Sequence, residues 1–360
     1  METILITGGA GFIGSNFVQF VLRHSDSQVV VLDKLTYAGS LLNLKSVEHD
    51  RRYGFVRADI CDRSSVRDTL ERYRPTAIVH FAAETHVDRS IDGPRNFLDA
   101  NVIGTFELLE AALDYYRTLE KAQTFFRFLH VSTDEVYGSL GSLGKFIEET
   151  HYAPNSPYAA SKAAADHFAR AYHQTFGLPV ITTNCTNNYG YFQFPEKLVP
   201  LMVLNAAAAK DLPVYGDGLN IRDWLFVEDH CSALLAVLRG GHVGQKYNIG
   251  GLSERNNLQM VDAICTALEE EFPAAENQAL KARGLKGYKD LQVFVPDRPG
   301  HDRRYATDIT KIRREVGWEP KCSFEEGIRS TVHWYLSHPD WCTSVQAGRY
   351  DRSRLGLGGV

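Results

Sequence analysis

No two of the six cysteines, Cys61, Cys185, Cys231, Cys265, Cys322 and Cys342, stand in a C-x-x-C pair. That absence excludes a zinc ribbon and a dithiol redox motif, so buried reduced thiols and no metal site are expected. No apolar run approaches the roughly 20 residues a membrane-spanning helix requires, so no membrane partner is expected. Positive charge is not in excess: 39 Lys and Arg stand against 44 Asp and Glu, a net charge of -5. A general nucleic-acid binder would show a basic stripe, so no nucleic-acid partner is expected. Any anion site should be a pocket rather than a face. The first strand is expected to start at Thr3, which leaves no room before it for a secretory leader. A reducing cytoplasm is the expected compartment.

What is present is a large, well-patterned globular chain. Its 360 residues exceed what one compact core usually holds, so a second lobe is expected. Apolar, β-branched runs at 3–6, 29–32, 54–57, 77–81, 126–132 and 180–184 read as strands. Helical patterns at 12–23, 64–74, 94–119 and 159–176 lie between them, with Ser64 as a candidate cap. Such alternation implies α/β, a Rossmann-like parallel sheet with helices on both faces. After about residue 187, loops rich in Gly, Pro, Asp and Arg separate helices at 197–209, 227–238, 258–272 and 324–337. This half reads as a smaller C-terminal α/β substrate lobe. The expected division is 1–186 for cofactor, with a strand near 246–250 rejoining it, 187–340 for the lobe, and 341–360 as a tail. The end of that tail, "GRYDRSRLGLGGV", lacks periodicity and is expected to be poorly ordered.

"TGGAGFIG" places Gly8, Gly11 and Gly14 between the first strand and the first helix. In that context Gly8 permits the sharp turn, Gly11 lets a pyrophosphate approach the backbone, and Gly14 lets helix and strand pack. The helix N-terminus then faces the phosphates. Asp33 ends the second strand, where a carboxylate accepts from a ribose 2′-OH and repels a 2′-phosphate. The expected cofactor is NAD. Asp59 and Ile60, after the third strand, are placed to meet the adenine.

Among seventeen tyrosines only Tyr158 has a lysine four residues on, Lys162, which shares its helical face. Lys162 is expected to stabilise the tyrosinate, so that Tyr158 can take an alcohol proton during oxidation. "STDEVYG" sets Thr133, Asp134 and Glu135 at the end of a strand. A simple dehydrogenase needs only a hydroxyl there. Two adjacent carboxyl groups suggest further proton transfers, with Asp134 as an acid if kept protonated and Glu135 as a base.

The segments "TGGAGFIG", "DKLTYAG", "HFAAETHVDRSI", "STDEVYG", "YAASK", "NNYGYFQFPEKLVPL", "GLNIRDWLFVEDH" and "DRPGHDRRYA" together resemble the extended short-chain dehydrogenase/reductase family, in its nucleotide-sugar 4,6-dehydratase branch. The resemblance spans residues 3–334. It implies a lyase that oxidises a sugar at C4, eliminates water across C5–C6 and returns hydride to C6, with a dTDP-sugar as substrate and a homodimer as the assembly. Residue by residue, it implies cofactor contacts at Phe12, Ile13, Asp33, Lys34, Leu35, Thr36, Asp59, Ile60, Phe81, Ala82, Ala83, Thr85, Tyr158, Lys162 and Asn188. It implies substrate contacts at Thr85, Thr133, Asn187, Lys197, Leu198, Pro213, Tyr215, Arg222, Asn257, Asp297, Arg298 and His301. Ala100 and Tyr191 depart from the family pattern, where Thr and Pro are usual. A UDP-sugar substrate and a 4-epimerase remain the alternative enzymes, and an NAD-sensing binding protein the alternative class.

Overall fold

The computed structural model describes residues 2–348, 350, 352 and 355. Seven parallel strands form the main sheet. Six are β1 (Thr3–Thr7), β2 (Gln28–Asp33), β3 (Tyr53–Arg57), β4 (Ala77–His80), β5 (Arg127–Thr133) and β6 (Val180–Cys185). The seventh, Lys246–Ile249, pairs with β6 from far along the chain. The spatial order runs β3, β2, β1, β4, β5, β6 and then Lys246–Ile249, so the order reverses direction beside β1. Open α/β sheets place their ligands at such a switch point, beyond the carboxyl ends of the strands.

Period-two alternation distributes the apolar residues between two cores. Ile4, Ile6, Val29 and Val31 face the helices Phe12–His24 and Val227–Gly240. Leu5, Val30 and Leu32 face Arg63–Tyr73, Gly104–Thr118 and Pro157–Phe176. Burying each such side chain contributes about 1.5–3 kcal/mol, which fixes the strand ends from which the site is built.

Two local expectations are corrected. Asp62, not Ser64, caps the helix Arg63–Tyr73, accepting from the amides of Ser64 and Ser65. A carboxylate one residue ahead of the first turn reaches both orphan amides, so the hydroxyl is redundant. The single helix read over 94–119 is interrupted by a wide π turn at Leu98–Ile103. Asn101 lies in that turn and uses its amide to hold Glu84, accepting from Glu84 N at 2.8 Å and donating to Glu84 O at 2.9 Å. A π turn at this place re-aims one side chain toward a loop, a recurrent device near functional sites.

The lobe contains short strands that the sequence pattern does not show. Asn187–Tyr189, Ile221–Phe226 and Glu254–Asn256 form a three-stranded sheet, and Leu212–Tyr215 pairs with Gln292–Val295. The helices Leu198–Ala207, Asn257–Glu271 and Phe324–Ser337 pack behind them around Met202, Met260, Ile264, Leu268, Ile328 and Val332. Running into the stretch read as a tail, Pro339–Gln346 is a helix with Trp341 buried. Residues 349, 351, 353, 354 and 356–360 of that tail lie outside the described residues.

Candidate active site

A long cleft opens across the carboxyl ends of β1, β2, β4 and β5. The glycine loop forms its floor at one end. Gly8 has φ +71°, and a Cβ there would lie 2.6 Å from Ala82 N. A Cβ on Gly14 would fall 2.3 Å from Gly8 O. These two glycines are demanded by packing. Gly11 is different: a Cβ there would meet only Gly8 O, at 3.3 Å, so its smallness serves the open cleft. Gly11 also caps the first helix with no side-chain hydrogen bond. The leading amides of that helix are thus left facing the cleft without a covering side chain, which suits a pyrophosphate. Asp33 accepts from Ala10 N at 2.9 Å and from Leu35 N at 2.7 Å, and so ties the loop to β2. Lys34 pairs with Asp59 at 3.2 Å on the rim. The donor set therefore fits a dinucleotide.

The cleft brings together Gly8, Gly11, Phe12, Ile13, Gly14, Asp33, Lys34, Thr36, Asp59, Ile60, Phe81, Ala82, Ala83, Thr85, Tyr158, Lys162 and Asn188. Of the expected cofactor residues only Leu35 is not in its wall; its side chain packs on the core beneath the first helix. Ala100, one of the two departures, does line the cleft. Tyr191, the other, turns into an aromatic cluster with Phe226 and Trp334.

At the far end of the cleft stand the catalytic candidates. Pro157 begins the helix that carries Tyr158 and Lys162, and Ser156 caps it by accepting from Ala159 N. Both side chains are buried, and Lys162 Nζ donates to Val131 O at 2.9 Å. Thr133 ends β5 and caps a short 3-10 turn, Asp134–Tyr137, accepting from Glu135 N at 3.3 Å. Burial pushes the Tyr158 phenol well above its usual value; Glu135 and Cys185 add to the rise, and Thr133 opposes it. Lys162 is not among the main influences on the phenol; its Nζ is engaged by Val131 O. Burial likewise lowers Lys162, against Asp166 and Cys185.

The two carboxyl groups differ in setting. Asp134 is 1% exposed, lines neither hollow, and is pushed well above the carboxylate range by burial and then by Glu135. Its Oδ1 receives the Thr133 hydroxyl at 3.4 Å, while Oδ2 has no hydrogen-bond partner among the described residues. Glu135 lines the cleft; burial raises it, and Arg222, Arg298 and Lys197 hold it down. Two adjacent carboxyl groups in unlike settings, one buried away from the hollows and one facing three cations, are the pairing that can separate acid from base.

A second hollow joins the first. Thr85, Glu135, Asn187, Glu196 and Lys197 line both. Leu198, Pro213, Tyr215, Arg222, Asn257, Arg298 and His301 line the second. Thr133 lies in the first only, and Asp297 lines neither. Asp297 instead positions its neighbours, accepting from Arg298 N at 2.7 Å and lying 2.6 Å from His301 Nδ1. Arg222 is held by Asp302 O at 3.0 Å and lies over the Tyr305 ring at 4.3 Å. Arg298 pairs with Asp88 at 2.5 Å. The result is a hollow in which Lys197, Arg222 and Arg298 stand among carboxylates, with an apolar wall of Leu198, Leu201, Met202 and Val261.

Several contributors escaped the sequence reading. Glu196 accepts from Tyr37 Oη at 2.8 Å and Arg89 Nε at 2.7 Å, where the two hollows meet. Asn101 donates to Ser161 Oγ at 2.8 Å beneath Tyr158. Glu196 was within reach, since it precedes Lys197 in a quoted motif. Asn101 carried no local signal.

Comparison with known proteins yields consistent matches. The family described as GDP-mannose 4,6 dehydratase matches residues 5–331. A dTDP-glucose 4,6-dehydratase of Xanthomonas campestris pv. campestris (strain B100) is 53% identical over 358 residues, covering 99% of each chain. The crystal structure of a dTDP-glucose 4,6-dehydratase from Bacillus anthracis in complex with NAD is 46% identical with a TM-score of 0.82, covering 96% of this chain and 100% of that one. One from Streptomyces venezuelae, with NAD and TYD bound, is 44% identical with a TM-score of 0.84 and the same coverage. A UDP-glucose 4-epimerase of Thermotoga maritima is 27% identical with a TM-score of 0.79, covering 93% of this chain and 99% of that one.

Proposed function

We propose, from the premise that this chain belongs to the GDP-mannose 4,6 dehydratase family and that its half-identical relatives are dTDP-glucose 4,6-dehydratases, that it converts dTDP-glucose to dTDP-4-keto-6-deoxyglucose. The observation that carries the reading is the seam between the hollows, where Glu135 lines both walls and Asp134, next to it in the chain, is buried behind the wall. An epimerase needs no acid for a leaving hydroxyl at C6, and the epimerases are the more distant neighbours.

The glycine loop, Asp33 and the rim residues Lys34 and Asp59 would hold NAD, with Lys162 toward its nicotinamide ribose. When bound, NAD supplies the hydride acceptor and donor that makes oxidation at C4 and reduction at C6 one closed cycle. Tyr158 takes the proton of the sugar 4-OH while Thr133 hydrogen-bonds the C4 oxygen. The 4-ketone acidifies the C5 proton, which Glu135 removes. Asp134 delivers its proton to the departing 6-OH, which requires its carboxyl, buried behind the wall, to turn toward the bound sugar, so water leaves across C5–C6. Glu135 then returns a proton to C5. Arg222, Arg298 and Lys197 bind the diphosphate, Tyr215 stacks on the pyrimidine, and Leu198, Pro213, Asn257 and His301 complete the cradle.

The chain is a 4,6-dehydratase acting in deoxysugar biosynthesis, and the free state of all six cysteines supports a cytoplasmic site of action. Among the described residues no helix is long and apolar enough to cross a membrane. Incubation with dTDP-glucose and, separately, UDP-glucose tests the substrate. A 4-keto product that absorbs in alkali is expected from dTDP-glucose at a rate at least about tenfold above UDP-glucose, a gap of about 1.4 kcal/mol. Equal rates, or a C4 epimer, would overturn the reading.

A homodimer is the proposed assembly, and exposed apolar side chains on two neighbouring segments support it. Ile103 is 44% exposed and Phe168 39%, and Phe168 packs on Phe106 at 6.1 Å. An apolar strip on paired helices is buried when two copies meet in a four-helix interface. Light scattering should give the mass of a dimer, and Phe168→Glu should shift it toward a monomer; a wild-type monomer at micromolar concentration would refute the assembly.

A further inference from the structure

The C-terminal helices reach the cofactor cleft through two hydrogen-bonded chains that no expected site residue explains. In the first, Trp341 Nε1 donates to Asn43 Oδ1 at 2.8 Å, and Asn43 Nδ2 donates to Ala10 O at 2.8 Å. Ala10 is inside the glycine loop, and its amide is the one held by Asp33. In the second, Tyr335 Oη donates to Gln193 O at 2.6 Å, and Gln193 Nε2 donates to Asn188 O at 3.0 Å. Gln193 and Asn188 both line the cleft. Trp341 and Tyr335 lie 6.2 Å apart by ring centroids and pack with Trp334 and Phe192. Both chains are anchored beyond residue 331, where the family match ends.

We propose that Trp341, acting through Asn43, is a positioning residue that holds the glycine loop closed on the dinucleotide and so sets how long the cofactor stays bound. The inference rests on the reading that the cleft holds NAD. The physical argument is one of geometry. The two peptides that flank Ala10 are each held, the N–H of one by Asp33 and the C=O of the next by Asn43, while Ser40 N adds a second donor to the same carbonyl at 3.0 Å. Asn43 is 2% exposed and has one acceptor oxygen; Trp341 occupies it and fixes which way the amide faces. Without the indole N–H that orientation is lost, the Ala10 peptide gains freedom, and the backbone amides around Gly11 lose their aim at the pyrophosphate. A reaction whose oxidised cofactor is regenerated at each turnover gains from slow cofactor loss, because every loss strands a turnover.

The test measures the rate at which bound NAD leaves the full-length protein, by dilution into excess labelled NAD. Trp341→Phe keeps an aromatic ring in the cluster but deletes the donor together with part of the indole's bulk, so a lower melting temperature is expected as well. It should raise the NAD dissociation rate about tenfold, while kcat at saturating NAD stays near wild type. Asn43→Ala should raise the rate similarly, and the double variant should add little. Val345→Ala, in the same helix and 2% exposed, loosens packing without touching the chain, and should lower the melting temperature but leave the NAD rate unchanged. Overturning results are an unchanged rate in Trp341→Phe, additive effects in the double variant, or an equal rise in Val345→Ala. If the wild-type protein itself binds no NAD, the reading of the cleft fails, and the inference fails with it for a distinguishable reason.

Discussion

Asp134→Asn and Glu135→Gln are expected to stop dehydration at two different bonds. Glu135→Gln removes the base for C5, so it should abolish both product formation and exchange of the C5 proton with solvent. Asp134→Asn removes the acid for the 6-OH but leaves the C5 base, so recovered substrate should still gain solvent deuterium at C5 while product formation fails. Removing one general acid or base typically costs about 10²–10⁴ in rate, and each variant should fall in that range. The pH dependence follows from the same pair. Glu135 must be ionised, and burial raises its pKa above 4.5, so the acid limb of the rate lies above that value and activity rises with pH through it. Asp134 must be protonated, and its pKa is raised well above 3.8, so activity falls again as pH climbs through the shifted value. Arg222→Gln deletes the largest influence holding Glu135 down, so it should move the acid limb upward. A limb that moved downward would contradict the assignment of Glu135 as the base.

Tyr158→Phe carries the other large effect. The ring keeps its packing against Phe97 at 6.2 Å, but the proton acceptor for the 4-OH is gone. Without the ketone neither elimination nor exchange can begin, so C5 exchange and dehydration should fall together by about 10²–10⁴. That joint loss distinguishes it from Asp134→Asn, which keeps exchange. Lys162→Met should also be severe, through a different route: it leaves Val131 O without the donor at 2.9 Å and removes the ammonium proposed to meet the nicotinamide ribose. A Tyr158→Phe enzyme that still exchanges C5 at the wild-type rate would show that another group takes the 4-OH proton.

Much of this arrangement was legible because its signals are local. The glycine spacing, Asp33 at a strand end and the i, i+4 relation of Tyr158 and Lys162 are each set by a few consecutive residues. Strand alternation with helices gave the parallel sheet, and even the late strand Lys246–Ile249 carried its own apolar pattern. What stayed hidden depends on distant partners. The amide of Asn43 is meaningful only once Trp341, 298 residues on, lies against it. Glu196 becomes a junction only when Tyr37 and Arg89 converge on it. The π turn at Leu98–Ile103 answers to Glu84 and Ser161 rather than to its own sequence, which reads as an ordinary helix. The three-residue strands of the lobe are too short to show a period, and only pairing defines them. The partnership of Lys162 with Tyr158 was read from their spacing alone, and the contact that Lys162 Nζ makes with Val131 O on the neighbouring strand could not be read from it.

The central claim is that one bound cofactor and one carboxyl couple act on three adjacent carbons of a single sugar. It is tested most directly by turning over dTDP-glucose labelled with deuterium at C4 in ordinary water, and unlabelled substrate in deuterated water, with the product read by NMR. The account predicts that the C4 label reappears on C6 of the same product and that solvent deuterium enters at C5. A label retained at C4, or a C5 position that keeps its original hydrogen, would contradict it.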